Sequence, residues 1–306
     1  MHKITPMACA LAGLLLVAAP AYAQTARSLS DIPGMLKTPE AKAVWDREMA
    51  GKPQPDGFGT RLPDGLVAEA LTGMLVPATD HGHVTLVGAN AWPRVSNSYV
   101  AIVCTRTGSP RAGAAQDCEG GDSGTLKVYL GVIERVDGAM RLVAASGPVR
   151  HKMDWNSTML SDSPMASESK ADGRINPERW ERFDLAPYRI SNSNQYAFGL
   201  RAGWSESYAG GGASFGALYL FAVDGDQLRV VFAEPMSFYK DIAGEWNPDH
   251  TREHEISEGE AVLAVSPRMT NGHYDLLLKS STDDSRQVFK WEIGEHRYRA
   301  AAGSGK

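Results

Sequence analysis

From residue 84 onward runs of apolar residues with partial period-two alternation are separated by polar turns, and the pattern recurs in three segments of one plan. The first is VTLVGANAWPRVSNSYVAIVCTRT followed by GTLKVYLGVIERVDGAMRLVAAS. The second is FDLAPYRISNSNQYAFGLRAGWSES followed by ASFGALYLFAVDGDQLRVVFAEP. The third is AVLAVSPRMTNGHYDLLLKSST followed by RQVFKWEIGEHRYRAA. Period-two runs rich in Val, Leu, Tyr and Phe are the pattern of strands with one buried face. Each segment reads as strand, Asn-containing turn, Tyr-led strand, variable loop, aromatic strand, Gly-containing turn, final strand.

The turn chemistry keeps the same register. Tyr99, Tyr196 and Tyr274 follow turns that contain Asn97, Asn194 and Asn271. The second turns carry Asp137-Gly138, Asp224-Gly225 and Gly294. Asn, Asp and Gly accept the positive φ of tight hairpins, so these strings predict turns for a physical reason. The exits match as well, with Trp155-Asn156 after the first segment and Trp246-Asn247 after the second.

The expectation is a mainly β fold of three four-stranded antiparallel meander repeats, over residues 84–155, 183–246 and 261–302. Each buries little alone, so the three must pack on one another, as an incomplete propeller-like arrangement or a stacked β-sandwich. A polar linker over 156–178 and a polar connection over 247–260 join them. Residues 24–80 read as a helical and irregular N-terminal segment. In TPEAKAVWDREMAG, Thr38 can cap a helix and Pro39 suits its first position; PDGLVAEALTGML over 63–75 is a second, weaker helix.

The first residues change the setting. His2 and Lys3 precede an apolar stretch from Met7 to Ala19, which closes on Ala21-Tyr22-Ala23, a small-x-small cleavage signature. The stretch is shorter than the ~20 residues of a membrane span, and no later segment is apolar enough to be one. Residues 1–23 are expected to be a signal peptide cleaved near Ala23-Gln24, leaving a periplasmic or secreted protein. Cys9 leaves with that peptide, and Cys104 and Cys118 remain as an even pair in an oxidising compartment, where a disulfide is the default. The formal net charge of −5 and the scattered Lys and Arg leave no basic stripe of the kind nucleic acid requires.

The third repeat resembles FG-GAP and VCBS-type β-repeats, and the plan DGDQL, GEWNPD, AVL, YDLLLK is similar to that of uncharacterised exported proteins of Gram-negative bacteria. The resemblance implies a β-repeat fold and an envelope location, and transfers no catalytic residue. It also implies Asp/Asn loops between strands.

Three motifs invite chemistry. CEGGDSGTL resembles the nucleophile segment of chymotrypsin-like proteases, with Ser123 as nucleophile. Too little chain precedes it for that fold, and His81, His83 and Asp80 are too close together for the triad order. NPDHTREHEIS spells H-x-x-E-H, in which His250 and His254 would bind zinc and Glu253 would activate water on one helical face. A helix begun at Pro248 would end within two turns, and no distant carboxylate on a second helix follows. The same stretch alternates oxygens at Glu245, Asn247, Asp249, Thr251 and Glu253, the spacing by which a loop can converge on calcium. Glu in first place and His250 where an EF-hand has glycine depart from that pattern. The plain alternative is a polar turn anchored by Trp246.

The middle loops of the first two repeats, RTGSPRAGAAQDCEGGDSG and WSESYAGGGAS, read as long and Gly-rich. Long loops on a rigid scaffold often carry binding, and Arg106, Arg111, Trp204 and Tyr208 are residue types favoured in contacts. Two functional readings follow. One is non-enzymatic binding of a protein or envelope polymer through these loops. The other is a metal-dependent hydrolase using His250, Glu253 and His254.

Overall fold

The computed structural model describes residues 23–108, 117–120 and 125–301. After β1 (Gln24–Ala26) come three helices, α1 (Ile32–Met35), α2 (Pro39–Glu48) and α3 (Ala68–Leu75). Then follow β2 (Val84–Ala91), β3 (Ser98–Arg106), β4 (Leu126–Val136) and β5 (Ala139–Pro148). β6 (Met153–Asp154) lies at the end of the expected first repeat, and the linker holds α4 (Met165–Glu168) and β7 (Arg174–Ile175). Next are β8 (Arg179–Arg189), β9 (Tyr196–Tyr208), β10 (Gly211–Asp224) and β11 (Gln227–Trp246). The chain ends with β12 (Arg252–Thr270), β13 (His273–Ser280), β14 (Arg286–Glu292) and β15 (Arg297–Ala300). The protein is mainly β, and its helices are few and short. Thr38 caps α2 through Oγ1, which accepts from the Ala41 N–H at 3.2 Å, and Pro39 opens the helix.

Consecutive strands pair antiparallel from β2 to β5, from β8 to β11 and from β12 to β15. These runs are not separate units. Residues 252–260, expected as a polar connection, belong to β12, which pairs with β11 from Ser237↔Glu260 to Trp246↔Arg252. The reason is alternation: His254 and Ile256 turn inward while Glu255 faces solvent. A single parallel bridge, Gln227 to Ala145, ties β5 to β11, so among the described residues one sheet of 13 strands results.

The hairpin turns use the left-handed backbone where the sequence supplies residues for it. Asn97, Asn194 and Asn271 have φ of 54°, 64° and 53°, and Asp137-Gly138 has 49° and 82°. At the last turn the left-handed residue is His296 (φ 53°), not the expected Gly294. Four residues join β14 to β15 there, and the third and fourth donate back to Glu292 and Ile293.

Three hydrophobic clusters show the layering. Leu71 and Leu75 of α3 cover one face of the β2–β5 run with Val103 and Tyr129. The other face, with Ile102 and Leu130, shares a core with Phe198, Trp204, Phe215 and Tyr219 of the β8–β11 run. Beyond it, Leu218, Leu220 and Phe232 pack on Leu276, Phe289 and Tyr298. β10 is therefore buried on both faces, which is why SFGALYLFAV lacks a polar period. The N-terminal segment packs Ile32, Leu36 and Val44 against Tyr239 and Ile256.

Two loops close the edges of β2 and β8. Gly59 O accepts from the Ala89 N–H at 3.1 Å, and Gly57 O accepts from the Phe183 N–H at 2.9 Å. Gly59 has φ +68°, and a Cβ there would lie 2.3 Å from Ala89 O, so both backbone conformation and space call for glycine. On the same edge Cys118 O accepts from the Trp180 N–H and Glu178 O from the Gly120 N–H, each at 2.9 Å.

Candidate functional site

Cys104 and Cys118 stand in disulfide geometry with Cα atoms 5.5 Å apart, and both are buried. The bond fastens residues 117–120 to β3 while their backbone pairs with β8. This segment, helix α2, the 54–60 loop and the start of β8 wall a cleft of about 980 Å³. Phe58, Leu86 and Trp180 supply its apolar surface. Glu40, Ala43 and Arg47 reach it from α2, spaced so that they share one helical face.

On the opposite wall the strand reads RWER. Register shifts between Trp180 and Arg182, so Glu181 is the extra residue of a bulge opposite β9. Arg179 pairs directly with Gly203, and a Cβ on Gly203 would stand 2.4 Å from Glu181 Oε1 and 2.8 Å from Arg179 Nε. The glycine is what lets this ion pair lie flat on the sheet. Arg179 Nε donates to Glu181 Oε1 at 3.0 Å and its Nη1 to Ser205 Oγ at 3.0 Å. Arg182 Nη2 reaches Glu40 Oε2 at 3.3 Å, and Arg47 Nε donates to Glu48 Oε1 at 2.7 Å. Arg47 Nη2 is buried with no partner.

The residues singled out from the sequence are placed elsewhere, or differently from expectation. His250 is exposed at the tip of the β11–β12 hairpin with φ 65°. His254 is buried on β12, where its Nδ1 lies 2.7 Å from Asp241 Oδ1. Glu253, the adjacent strand residue, points to the opposite face. H-x-x-E-H needs a helix to bring its side chains together, and a strand separates them. Among the described residues no group of three or more His, Cys, Asp and Glu is placed to hold a metal.

The oxygens proposed for calcium are engaged in the turn itself. Asp249 Oδ1 accepts from Thr251 N and Oγ1 at 3.1 and 2.6 Å, and its Oδ2 takes Arg27 Nη2 at 2.5 Å. Those hydrogen bonds from Thr251 hold the Asp249 carboxyl below its ordinary range. Asn247 Nδ2 donates to Arg27 O and Thr251 Oγ1, each at 3.1 Å. Glu245 and Glu253 lie on the two strands rather than in the turn. Trp246 does not anchor the turn: it is 68% exposed under the Arg252 guanidinium, 5.5 Å from the ring, whereas its expected counterpart Trp155 is 3% exposed.

WSESYAGGGAS is not a long loop. β9 runs to Tyr208 and β10 begins at Gly211, leaving only two residues to turn. Gly210 makes the turn with φ +98°, whereas Gly211 and Gly212 are sheet positions with a neighbouring strand close by: a Cβ on Gly211 would stand 2.1 Å from Asp241 O of β11, and one on Gly212 2.7 Å from Glu206 O of β9. Trp204 is accordingly core, 1% exposed, with Nε1 donating to Asn176 O at 2.8 Å. Tyr208 is half-buried, and burial followed by the hydrogen bond to Glu206 pushes its hydroxyl pKa up. Arg106 is bonded to Asp117 on the cleft wall. Arg111, Ser123 and residues 1–22 lie outside the described residues.

The cleft was not read from the sequence, although RWER carried a signal. Charged residues on either side of an aromatic at the start of a strand mark one polar and one buried face. Comparison with protein-family models, with curated proteins and with solved structures finds no match for this chain. The fold and the site define a mainly β protein with a charged cleft. No helix among the described residues is long and apolar enough to cross a membrane.

Proposed function

We propose that this is an exported, non-enzymatic binding protein of the cell envelope, which takes a segment of a protein or envelope polymer into the cleft between α2, the 54–60 loop and β8. The observation that carries the reading is the cleft, about 980 Å³ in volume and walled by four chain segments. A site of this size lies at the upper end of small-ligand pockets. The disulfide and the backbone pairing of residues 118–120 and 57–59 with strand edges hold its walls in place without ligand. The β scaffold is read as three meander repeats of FG-GAP or VCBS type, a reading supported by Asn97, Asn194 and Asn271 sharing one left-handed turn conformation. Export rests on residues 1–23 alone.

Two measurements test this. A photo-crosslinking residue at Gln54, on the cleft, is expected to give a discrete adduct in intact cells, while one at the exposed Lys290 of β14 gives none; equal yields from both would remove the cleft as binding site. Fractionation of the tagged full chain is expected to place a shortened form in the periplasm or medium, and a full-length cytoplasmic product would end the export reading.

A further inference from the structure

We infer that helix α2, one wall of the cleft, is docked by a proton-sensitive latch: Glu258 and Glu260 of β12 clasp its first turn, and protonation of Glu260 tightens the clasp. The latch is a property of the free protein. Only its effect on a ligand rests on the binding role of the cleft. The arm from β1 to α2 lies over one face of β12. His254, Ile256, Glu258 and Glu260 alternate onto that face, where Ile256 packs on Ile32, Leu36 and Val44. After α2, residues 49–56 are exposed and belong to no helix or strand. The helix is therefore held by its buried face, its side-chain ties to β8 and its first turn.

The first turn is held by carboxylates. Glu258 Oε1 accepts from the Lys37 N–H at 2.7 Å, and its Oε2 accepts from the Thr38 N–H at 3.1 Å and from Thr38 Oγ1 at 2.8 Å. The same hydroxyl accepts from the Ala41 N–H, so it links Glu258 to the helix proper. A negative group here also meets the positive end of the helix dipole. Glu260 stands by the same turn with Oε2 buried and unpartnered. Three carboxylates thus come together, Glu40 of α2 with Glu258 and Glu260 of β12. Arg201 of β9 also faces Glu260 and is itself bonded to Asp184 of β8 at 2.7 Å. Tyr239 of β11, opposite Glu258, stays a neutral phenol, since burial, Asp241 and Glu258 all raise its pKa. Burial holds the Glu260 carboxyl above its ordinary range; the Glu40 N–H and Arg201 oppose this, and the Glu40 and Glu258 carboxylates add to it. A carboxyl whose pKa is raised by docking binds its proton more tightly when docked, so docking strengthens as pH falls through that raised value and weakens above it. The helix carries Glu40 to Arg182 at 3.3 Å and Arg47 to Glu181 at 3.9 Å across the cleft, so a loosened α2 gives up these ties and widens it.

The test is hydrogen exchange of the full processed protein without ligand, from pH 8 to pH 5.5, each rate corrected for the intrinsic pH dependence of exchange. Protection of Val44 in α2, relative to Leu220 in β10, is expected to rise severalfold as pH falls. Glu260→Gln should give high protection at both ends of the range. Glu255→Gln, exposed on the opposite face, should behave as the unaltered protein. Val44 protection that tracks Leu220 at every pH, or a rise that survives in Glu260→Gln, would overturn the latch. Should Glu260→Gln not fold, the carboxyl resonance of Glu260 in the unaltered protein decides: titration above the ordinary glutamate range is expected, and titration within it would overturn the latch. Crosslinking from Gln54 reports separately on whether the cleft binds anything, so a working latch beside an empty cleft is distinguishable from a failed one.

Discussion

Asn271 shows how closely a residue's conformation was written in the chain. It holds φ 53° and donates from Nδ2 to Trp291 O at 2.9 Å. Asn271→Ala is therefore expected to cost about 1–2 kcal/mol, since the left-handed backbone penalises a Cβ and a hydrogen bond is lost. Asn271→Gly should cost less, and urea denaturation of both variants gives the comparison. Such positions were legible because positive φ is a local demand with few residue solutions. His254 was not, because its burial depends on Asp241 across the hairpin and on β1, which pairs along the other side of β12. His151 makes a further residue-scale case. Burial, with Arg297, Arg174 and Arg299 nearby, lowers its pKa to about 4. The unfolded chain takes a proton near 6.5 that the folded protein refuses, so stability is full above pH 6.5 and falls as pH drops towards 4. After allowance for partial solvent screening the loss is about 2 kcal/mol. His151→Gln should flatten that part of the stability curve, read as urea midpoints at pH 4.5, 5.5 and 7.

At the scale of elements, strands and helix α2 were readable because alternation, caps and turn residues are properties of short windows. Glycine-rich stretches were not, for a definite reason. Glycine marks both loops and places where a neighbouring backbone or side chain comes close, and Gly211, against Asp241 O, and Gly203, against Glu181 and Arg179, are of the second kind. The disulfide was anticipated as a loop clip, but its consequence lies in pairing with β8, which no local pattern displays. Replacing Cys104 and Cys118 together by Ser should cost about 3 kcal/mol. It should also raise amide exchange at Trp180, whose N–H is bonded to Cys118 O. Unchanged exchange there would mean that the segment holds β8 without its covalent tie.

For the molecule as a whole, the order of layers was beyond the sequence, because either face of a strand run can be the outer one until long-range contacts decide. β10 and β11 end up in the middle, and the β12–β15 run is the cover of their second face. A chain ending at Trp246 would expose Leu218, Leu220 and Phe232 to water and leave the β11 edge unpaired. Such a chain is expected to aggregate on size-exclusion chromatography, where the full chain elutes as a discrete species. A soluble, cooperatively melting truncation would show that the first two runs fold alone.

The short strand β1 has a temporal meaning. Gln24, Thr25 and Ala26 find their partners at Ile256, Glu255 and His254, near the far end of the chain. Pairing across so long a loop carries a large closure entropy and forms late. β1 can pair only once β12 is in place beside β11, so it is expected to join after that hairpin has formed. Until then it is expected to be open to proteases, and in pulsed proteolysis during refolding its protection should trail that of the β11–β12 hairpin.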